Sequence, residues 1–453
     1  MTSLAQLLVD FGARVHGCDT AENFVTEPQL TALSLTPDVG FTQPLPPETD
    51  CVIYTAAHQG KNNPVVVAAE AAGIPVFSHA EALAAFFNDK TGIAVCGVGG
   101  KSTTSAMIAW ILEKTERYPS YSVGVGEIIG LPRTGKYVPS STLFVAEADE
   151  YASNPTEVQQ GAPLIPRFHY LTPLVTVCTQ IAFDHPDVYA NLEQTNTVFQ
   201  TFFSQIKRHG VLCCSLETAA LSAQSAPHFR IATCGSDAAC DYSYSVHVPD
   251  AAEQPVVTVT EKKSAKVLAL HLQVPGLHNV INATYAIAAC RAVGVPFEDA
   301  CNALDSFAST KRRFEFCGEK NGVRYFDDYA HHPSEIAMVI DTLKRWFPGK
   351  KSVIAFQAHT FSRTKQLFSE FVSVLATADE VVMIDIFASA RESFDASVSS
   401  DTLCAAIQQK APHLSVTNVH TLAQLAEYCK RIPPDSVCVT VGAGDIYKVH
   451  ELL

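Results

Sequence analysis

The sequence predicts an α/β protein of several domains, and three observations carry that expectation. Helix-patterned and strand-like apolar stretches alternate along most of the chain, as parallel sheets with crossover helices require. The run Ile93-Ala94-Val95-Cys96-Gly97-Val98-Gly99-Gly100-Lys101-Ser102-Thr103-Thr104 passes from an apolar strand through a glycine turn into a helix-patterned stretch. A length of 453 residues, 47% hydrophobic and 17% charged, suffices for about three separate cores.

The elements follow in order. Residues 1–88 alternate Leu4 to Phe11 helical, Ala13 to Cys18 extended, Cys51 to Thr55 extended, Pro64 to Ala72 helical and Ile74 to Phe77 extended, the pattern of a parallel α/β domain. Residues 89–310 form a second domain, opened by the strand before the glycine turn and continued by strands Leu143 to Ala146 and Leu174 to Thr179. Between His228 and Val274 short alternating runs such as Tyr242-Ser243-Tyr244-Ser245-Val246 and Val256-Val257-Thr258-Val259-Thr260 predict a small antiparallel β-insertion, after which Asn279 to Ala292 is helical. Residues 311–453 form a third domain with strands Ser352 to Phe356, Val381 to Ile386 and Val437 to Val441. Its last strand enters Gly442-Ala443-Gly444-Asp445, a turn for which a purely structural and a ligand-facing reading both stand.

Composition excludes some classes. A formal charge of −14 opposes general binding to nucleic acid or anionic membranes, which need a basic face. No apolar run reaches the roughly 18 residues of a membrane span, and the start lacks a basic segment followed by an apolar core, so a cytoplasmic protein is expected. Of 14 cysteines, Cys51, Cys96, Cys178, Cys213, Cys214 and Cys438 lie in apolar strand-like runs and no Cys-x-x-Cys pair occurs. Buried, reduced thiols are expected; Cys234 and Cys240 alone are too few for structural zinc.

The chemistry concentrates at strand ends. Glycines let backbone amides face phosphate oxygens, a helix start adds partial positive charge, Lys101 reaches terminal phosphates and the Ser102 hydroxyl suits magnesium, so the turn reads as a cradle for ATP or GTP. Gly97 and Gly100 enclose two residues, a shorter loop than the common phosphate-binding pattern. Leu143 to Ala146 runs into Glu147-Ala148-Asp149-Glu150-Tyr151, where Glu147 and Asp149 share a side if the extended backbone continues, placing a carboxylate for a metal beside the loop. Val175 to Thr179 leads to Ala182-Phe183-Asp184-His185-Pro186-Asp187, in which His185 reads as a metal ligand or a phosphate contact. Two further clusters are Tyr325-Phe326-Asp327-Asp328-Tyr329-Ala330-His331-His332-Pro333-Ser334-Glu335 and Phe356-Gln357-Ala358-His359-Thr360-Phe361-Ser362-Arg363-Thr364; Arg363 suits bidentate binding of carboxylate or phosphate.

Taken in order with Gly276-Leu277-His278-Asn279-Val280-Ile281-Asn282-Ala283 and Arg312-Arg313-Phe314, these motifs resemble the Mur ligases, the ATP-dependent amide-forming enzymes of peptidoglycan synthesis, over nearly the whole chain. The resemblance implies Rossmann-like N- and C-terminal domains around an ATPase-type centre. It also implies ATP and Mg2+ as cofactors, and UDP-N-acetylmuramate and L-alanine as substrates joined through an acyl phosphate. A monomer or weak homodimer would follow. By the same carry-over Gly97, Gly99, Gly100, Lys101, Ser102, Thr103, Asn279, Asn282, Arg313 and Asp328 would meet ATP, while Ser102 and Glu147 would hold one magnesium and His185 a second. Tyr329, His331, His359 and Arg363 would surround the amino acid and the reacting carboxylate, with Lys101, His185, His331 and Arg363 catalytic; which histidine of His331 and His332 serves stays open. A recycling ligase that takes a preformed tripeptide, and a nucleotide-binding protein without activity, are the alternatives.

The chain departs from the family pattern in three places. Val98-Gly99 replaces the usual Thr-His between the loop glycines and Ser102 replaces threonine; Gln180 replaces a usual asparagine. Met1-Thr2-Ser3-Leu4-Ala5 matches the first helix of the family's N-terminal domain, so the preceding strand and glycine-rich turn are expected to be missing, from a start assigned about a dozen residues late or from truncation.

Overall fold

The computed structural model describes residues 1–21, 25–185, 188–224, 227–248, 255–388 and 394–453. Internal packing divides the chain into two compact units. The first comprises Met1–Ser245, Thr258–His271 and Val280–Phe307, and the second Val246–Val257, Leu272–Asn279 and Ala308–Leu453.

In the first unit, helix Thr2–Phe11 ends at Gly12, which takes the left-handed conformation that favours glycine. Its apolar face buries Leu4 and Leu7, and the buried Gln6 carboxamide accepts the Gly135 amide at 2.7 Å. The following strands are short. Cys18–Asp19 pairs in parallel with Asp38–Val39, and Val52–Tyr54 with Val76–Ser78, as two separate sheets. The extended run expected from Ala13 is reduced to Cys18–Asp19, because its neighbour offers a ladder of only two residues. Cys51, expected to be buried, precedes its strand and is exposed.

A ten-stranded sheet forms the centre of this unit. Strand Thr91–Cys96 lies between parallel neighbours Leu143–Glu147 and Val175–Cys178, and in such a parallel sheet crossover helices cover both faces; Ile93 to Cys96 are fully buried. Helix Lys101–Lys114 continues from it and buries residues from Thr103 to Leu112, with the Trp110 indole donating to the Ala303 carbonyl at 2.8 Å. The strands around 230–269 extend the same sheet. Val256–Glu261 and Lys266–Ala269 pair antiparallel as expected, whereas Arg230–Gly235 pairs in parallel with both Val211–Cys214 and Tyr242–His247. Alternating residues specify a half-buried strand but not the direction of its neighbour.

The second unit holds a six-stranded sheet in the order 315–320, 323–328, 436–441, 351–356, 380–384, 415–420. All pairings are parallel except Glu315–Lys320 with Val323–Asp328. Strands Lys351–Phe356 and Ser436–Val441 read as continuous apolar runs and are buried almost throughout. No helix of the described residues is long and apolar enough to cross a membrane.

Candidate active site

The first unit assembles a phosphate-loop group. Gly97, Gly99 and Gly100 have φ of 115°, 80° and 75°, and Gly100 caps the helix that starts at Lys101. The loop is pinned to the neighbouring strand end. The Thr179 hydroxyl donates to the Gly99 carbonyl at 2.7 Å, and the Val98 amide donates to the Gln180 carbonyl at 2.8 Å. A Cβ on Gly97 would lie 2.5 Å from Thr179 Oγ1 and 2.7 Å from that same carbonyl, so this glycine serves the close approach of two backbones. The contact from residue 180 uses its main chain, which any residue supplies.

Lys101 Nζ donates to both carboxylate oxygens of Glu150, at 2.8 and 2.9 Å, and to the Gly97 carbonyl at 3.0 Å. Burial opposes its charge, yet Glu150 and Asp149 outweigh burial and hold its pKa above the ordinary lysine value. The Ser102 hydroxyl donates to Glu147 at 3.1 Å, and the Gly124 amide donates to the other oxygen of that carboxylate. Burial raises the pKa of Glu147 and of Glu150. Thr103 is buried in the first helical turn, and Asn282 Oδ1 is the atom that a Cβ on Gly100 would meet, so Asn282 faces the loop.

Glu147 and Asp149, read as sharing a side, part company. Asp149 turns to Arg167 at 2.6 Å; burial opposes its ionisation, but Arg167 and Lys101 prevail and keep the carboxyl below the usual range. Glu150 takes the place beside His185. One ligand atom each from Glu150, Asp184 and His185 lies within 4.8 Å of the others, the one such metal-capable group among the described residues. His185 sits 3.8 Å from Glu150 and 3.6 Å from Asp184 at φ 57°, with its ring edge-on to Tyr151. Pro186 and Asp187 of this motif lie outside the described residues.

The second unit assembles the other group. Arg312, left-handed at φ 62° and only 5% exposed at its side chain, donates from Nε to Asp327 at 2.9 Å and from its two terminal nitrogens to the Gly442 and Gly444 carbonyls. Its guanidinium lies between the rings of Tyr329 and Tyr447, at 5.0 and 4.4 Å. The Gly442–Gly444 turn thus has a packing role: a side chain on either glycine would collide with Gln357. Asp328 accepts the Phe314 and Ala330 amides, each at 2.8 Å, and burial pushes its pKa up to about 6 against the pull of Arg313. Arg313 also lies over the Tyr329 ring at 5.6 Å.

His331 and His332 have different duties. His332 caps helix Pro333–Trp346, its Nδ1 accepting the Ser334 amide at 3.3 Å. His331 Nδ1 lies 3.0 Å from the Tyr329 carbonyl, an acceptor only, so Nδ1 carries the proton and Nε2 is left with its lone pair. Burial lowers the His331 pKa, Glu335 opposes that, and Arg363 and Arg313 add to it. Tyr329, 36% exposed, stands edge-on to the His331 ring at 5.4 Å. His359 stacks on Phe387 at 5.6 Å, and Arg363 occupies the first turn of helix Phe361–Gln366, capped by Thr360. The Asn279 side-chain carboxamide donates from Nδ2 to the Pro275 carbonyl at 2.7 Å.

Sequence reasoning passed over Glu150, Thr179, Arg312 and Glu335 as individual actors. The acidic run at 147–150 signalled Glu150 only as one of three equivalent carboxylates. Arg312 is of the same type as its neighbour Arg313, and nothing local distinguishes the buried one.

Comparison with known proteins bears on the whole chain. Three family models match in succession: "Mur ligase family, catalytic domain" over residues 1–91, "Mur ligase middle domain" over 95–290, and "Mur ligase, glutamate ligase domain" over 312–444. The UDP-N-acetylmuramate–L-alanine ligase of Desulfitobacterium hafniense (strain Y51) is 34% identical, covering 100% of this chain and 96% of that protein. The one of Clostridium kluyveri (strain ATCC 8527 / DSM 555 / NBRC 12016 / NCIMB 10680 / K1) is 31% identical over 100% and 95%. Among solved structures, the UDP-N-acetylmuramate-alanine ligase of Thermotoga maritima shares the fold, with a TM-score of 0.76, 24% identity and coverage of 100% and 95%.

Proposed function

The chain belongs to the Mur ligase family, and from that premise we propose that it joins L-alanine to the carboxylate of UDP-N-acetylmuramate at the expense of ATP, in peptidoglycan precursor synthesis. It is an ATP-dependent amide-forming ligase. The observation that carries the substrate assignment is the 34% identity to a named L-alanine ligase over the full chain.

In this reading the muramyl carboxylate attacks the γ-phosphorus of ATP, the bond to the bridging oxygen breaks, and ADP leaves an acyl phosphate behind. The amine nitrogen of L-alanine then attacks the acyl carbon, the C–O bond to phosphate breaks with its electron pair, and nitrogen gives up a proton. Phosphoryl transfer depends on positioning and charge neutralisation more than on covalent help. The phosphate loop positions the triphosphate, and Lys101, kept charged by Glu150 and Asp149, faces the transferred group. Asn279, Asn282, Arg313 and Asp328 serve the nucleotide; Tyr329, His359 and Arg363 serve the amino acid and the reacting carboxylate.

Ser102 and Glu147 supply hard oxygens side by side that fit Mg2+, and the carboxylates of Glu150 and Asp184 with the His185 imidazole would offer a second converging set for a metal ion. When bound, the ion neutralises phosphate charge. His331 is the base for the alanine nitrogen, because its Nε2 holds a lone pair while the ring of His332 caps a helix.

Phosphate release from ATP tests the assignment. Release that requires UDP-N-acetylmuramate together with L-alanine is expected; turnover with the tripeptide but not alanine would instead identify a recycling ligase, and no release with either would reject the reading.

A further inference from the structure

Resting on the assignment of His331 as base, we propose that Glu335 is a positioning residue that fixes the His331 imidazole and sustains its basicity. One oxygen of this carboxylate, Oε2, accepts the backbone amides of both His331 and His332, at 2.9 and 3.1 Å. The same oxygen lies 3.6 Å from His331 Nδ1. Glu335 therefore grips the main chain on which the imidazole is mounted and also places a negative charge beside the ring. The Tyr329 carbonyl completes the arrangement by accepting from Nδ1, which directs the lone pair to Nε2.

The charged groups facing this imidazole explain why a carboxylate is required there. Arg363, from helix Phe361–Gln366, and Arg313, from the segment before strand Glu315–Lys320, both disfavour the imidazolium, as does burial. An imidazole among two arginines is a weak base for an ammonium proton, since it cannot hold the charge it acquires. Glu335 is the largest influence that opposes them at His331, followed by the Tyr329 carbonyl. As the third residue of the helix it also completes a capping box with His332, a task that a neutral amide performs as well. This separates the two roles experimentally.

The test is the pH dependence of kcat/KM for L-alanine at saturating ATP and UDP-N-acetylmuramate, in the wild type, Glu335→Gln, Glu335→Asp and His331→Ala. Glutamine keeps an oxygen for the amides but removes the charge, so the acid limb should move to lower pH by about one unit, with kcat near neutrality reduced as the base weakens. Aspartate keeps the charge and should return the limb toward the wild-type position. A merely structural role would leave the limb in place in Glu335→Gln, and that result overturns the proposal. The variants' thermal midpoints are read in parallel; if Glu335→Gln fails to fold, a Glu335→Asp limb displaced downward as far as expected for charge loss would overturn it equally. His331→Ala should abolish the limb. If it does not, the base assignment itself fails and this inference with it, whereas an absent limb in His331→Ala beside an unmoved limb in Glu335→Gln rejects only the role of Glu335.

Discussion

Lys101 in the first unit and Arg312 in the second are each held by a buried carboxylate and by glycine carbonyls, but they differ in how firmly they are fixed. Lys101 keeps 19% of its side chain exposed, ends in a rotatable ammonium, and has Gly97 as its other acceptor in an open glycine turn. Arg312 is a planar fork bound to Asp327 and to two carbonyls of the 442–444 turn, with a tyrosine ring on each side. The first arrangement leaves a cation that can exchange a carboxylate for phosphate; the second fixes one in place. On the function proposed above, the same pairing of charges builds machinery at one site and framework at the other.

The sharpest way to break that comparison is to remove each cation. Arg312→Met strands Asp327 in a buried setting and unties the turn, so a loss of about 3–5 kcal/mol of stability is expected by denaturant unfolding. A loss below 1 kcal/mol would show that the fork is not framework. Lys101→Met also leaves Glu150 without its cation, but its larger effect should be on rate, lowering phosphate release about 10²–10³-fold. The double variant Lys101→Met with Glu150→Gln removes the buried carboxylate's charge as well, so it should recover stability lost in the single variant without recovering turnover. Recovery of turnover would place Lys101 in the framework class.

Asp328 sharpens the contrast from the acid side. Its folded pKa of about 6 lies above the ordinary 3.8, so the folded state binds the proton more tightly than the unfolded chain does. Its contribution is fully favourable below pH 3.8 and is lost as pH rises toward 6. The stability of the wild type relative to Asp328→Asn should therefore fall between pH 4 and pH 7 by an amount on the order of 3 kcal/mol. Unfolding at several pH values checks this, and a constant difference would mean that the carboxyl ionises normally despite its burial.

The same contrast governs what could be read in advance. The strand, glycine turn and helix at residues 91–114 are visible in sequence because main-chain geometry makes them, and each glycine has a φ that only its residue type adopts easily. The duties of Arg312, Glu150 and Glu335 are not visible, because they are set by which side chain turns inward once distant segments meet. Arg312 reaches Gly442 and Gly444 across 130 and 132 residues of sequence, a relation no local pattern encodes. The reading of Glu147 and Asp149 as a pair failed for a related reason: the strand ends at Glu147, so period-two alternation stops before Asp149. The direction of the strands at 230–247 was lost because alternation fixes faces and not partners.

The smallest effects lie inside the loop itself, where two glycines of similar appearance can be set apart. Gly97 has φ 115°, and an added Cβ would meet Thr179 Oγ1 at 2.5 Å and the main chain of Gln180 at 2.7 and 2.8 Å. Gly97→Ala thus combines backbone strain with a collision against main chain that cannot rotate away, for about 3 kcal/mol and a marked loss of ATP affinity. Gly99 has φ 80° with nothing within 4 Å of the added atom, so Gly99→Ala meets only the left-handed penalty, about 1 kcal/mol. Thermal unfolding and nucleotide titration of the two variants should rank them in that order. Because the loop is anchored through Gly97 and open at Gly99, equal effects would mean that the anchoring by Thr179 and Gln180 does not persist in solution, and the loop would then be held by Lys101 and the helix alone.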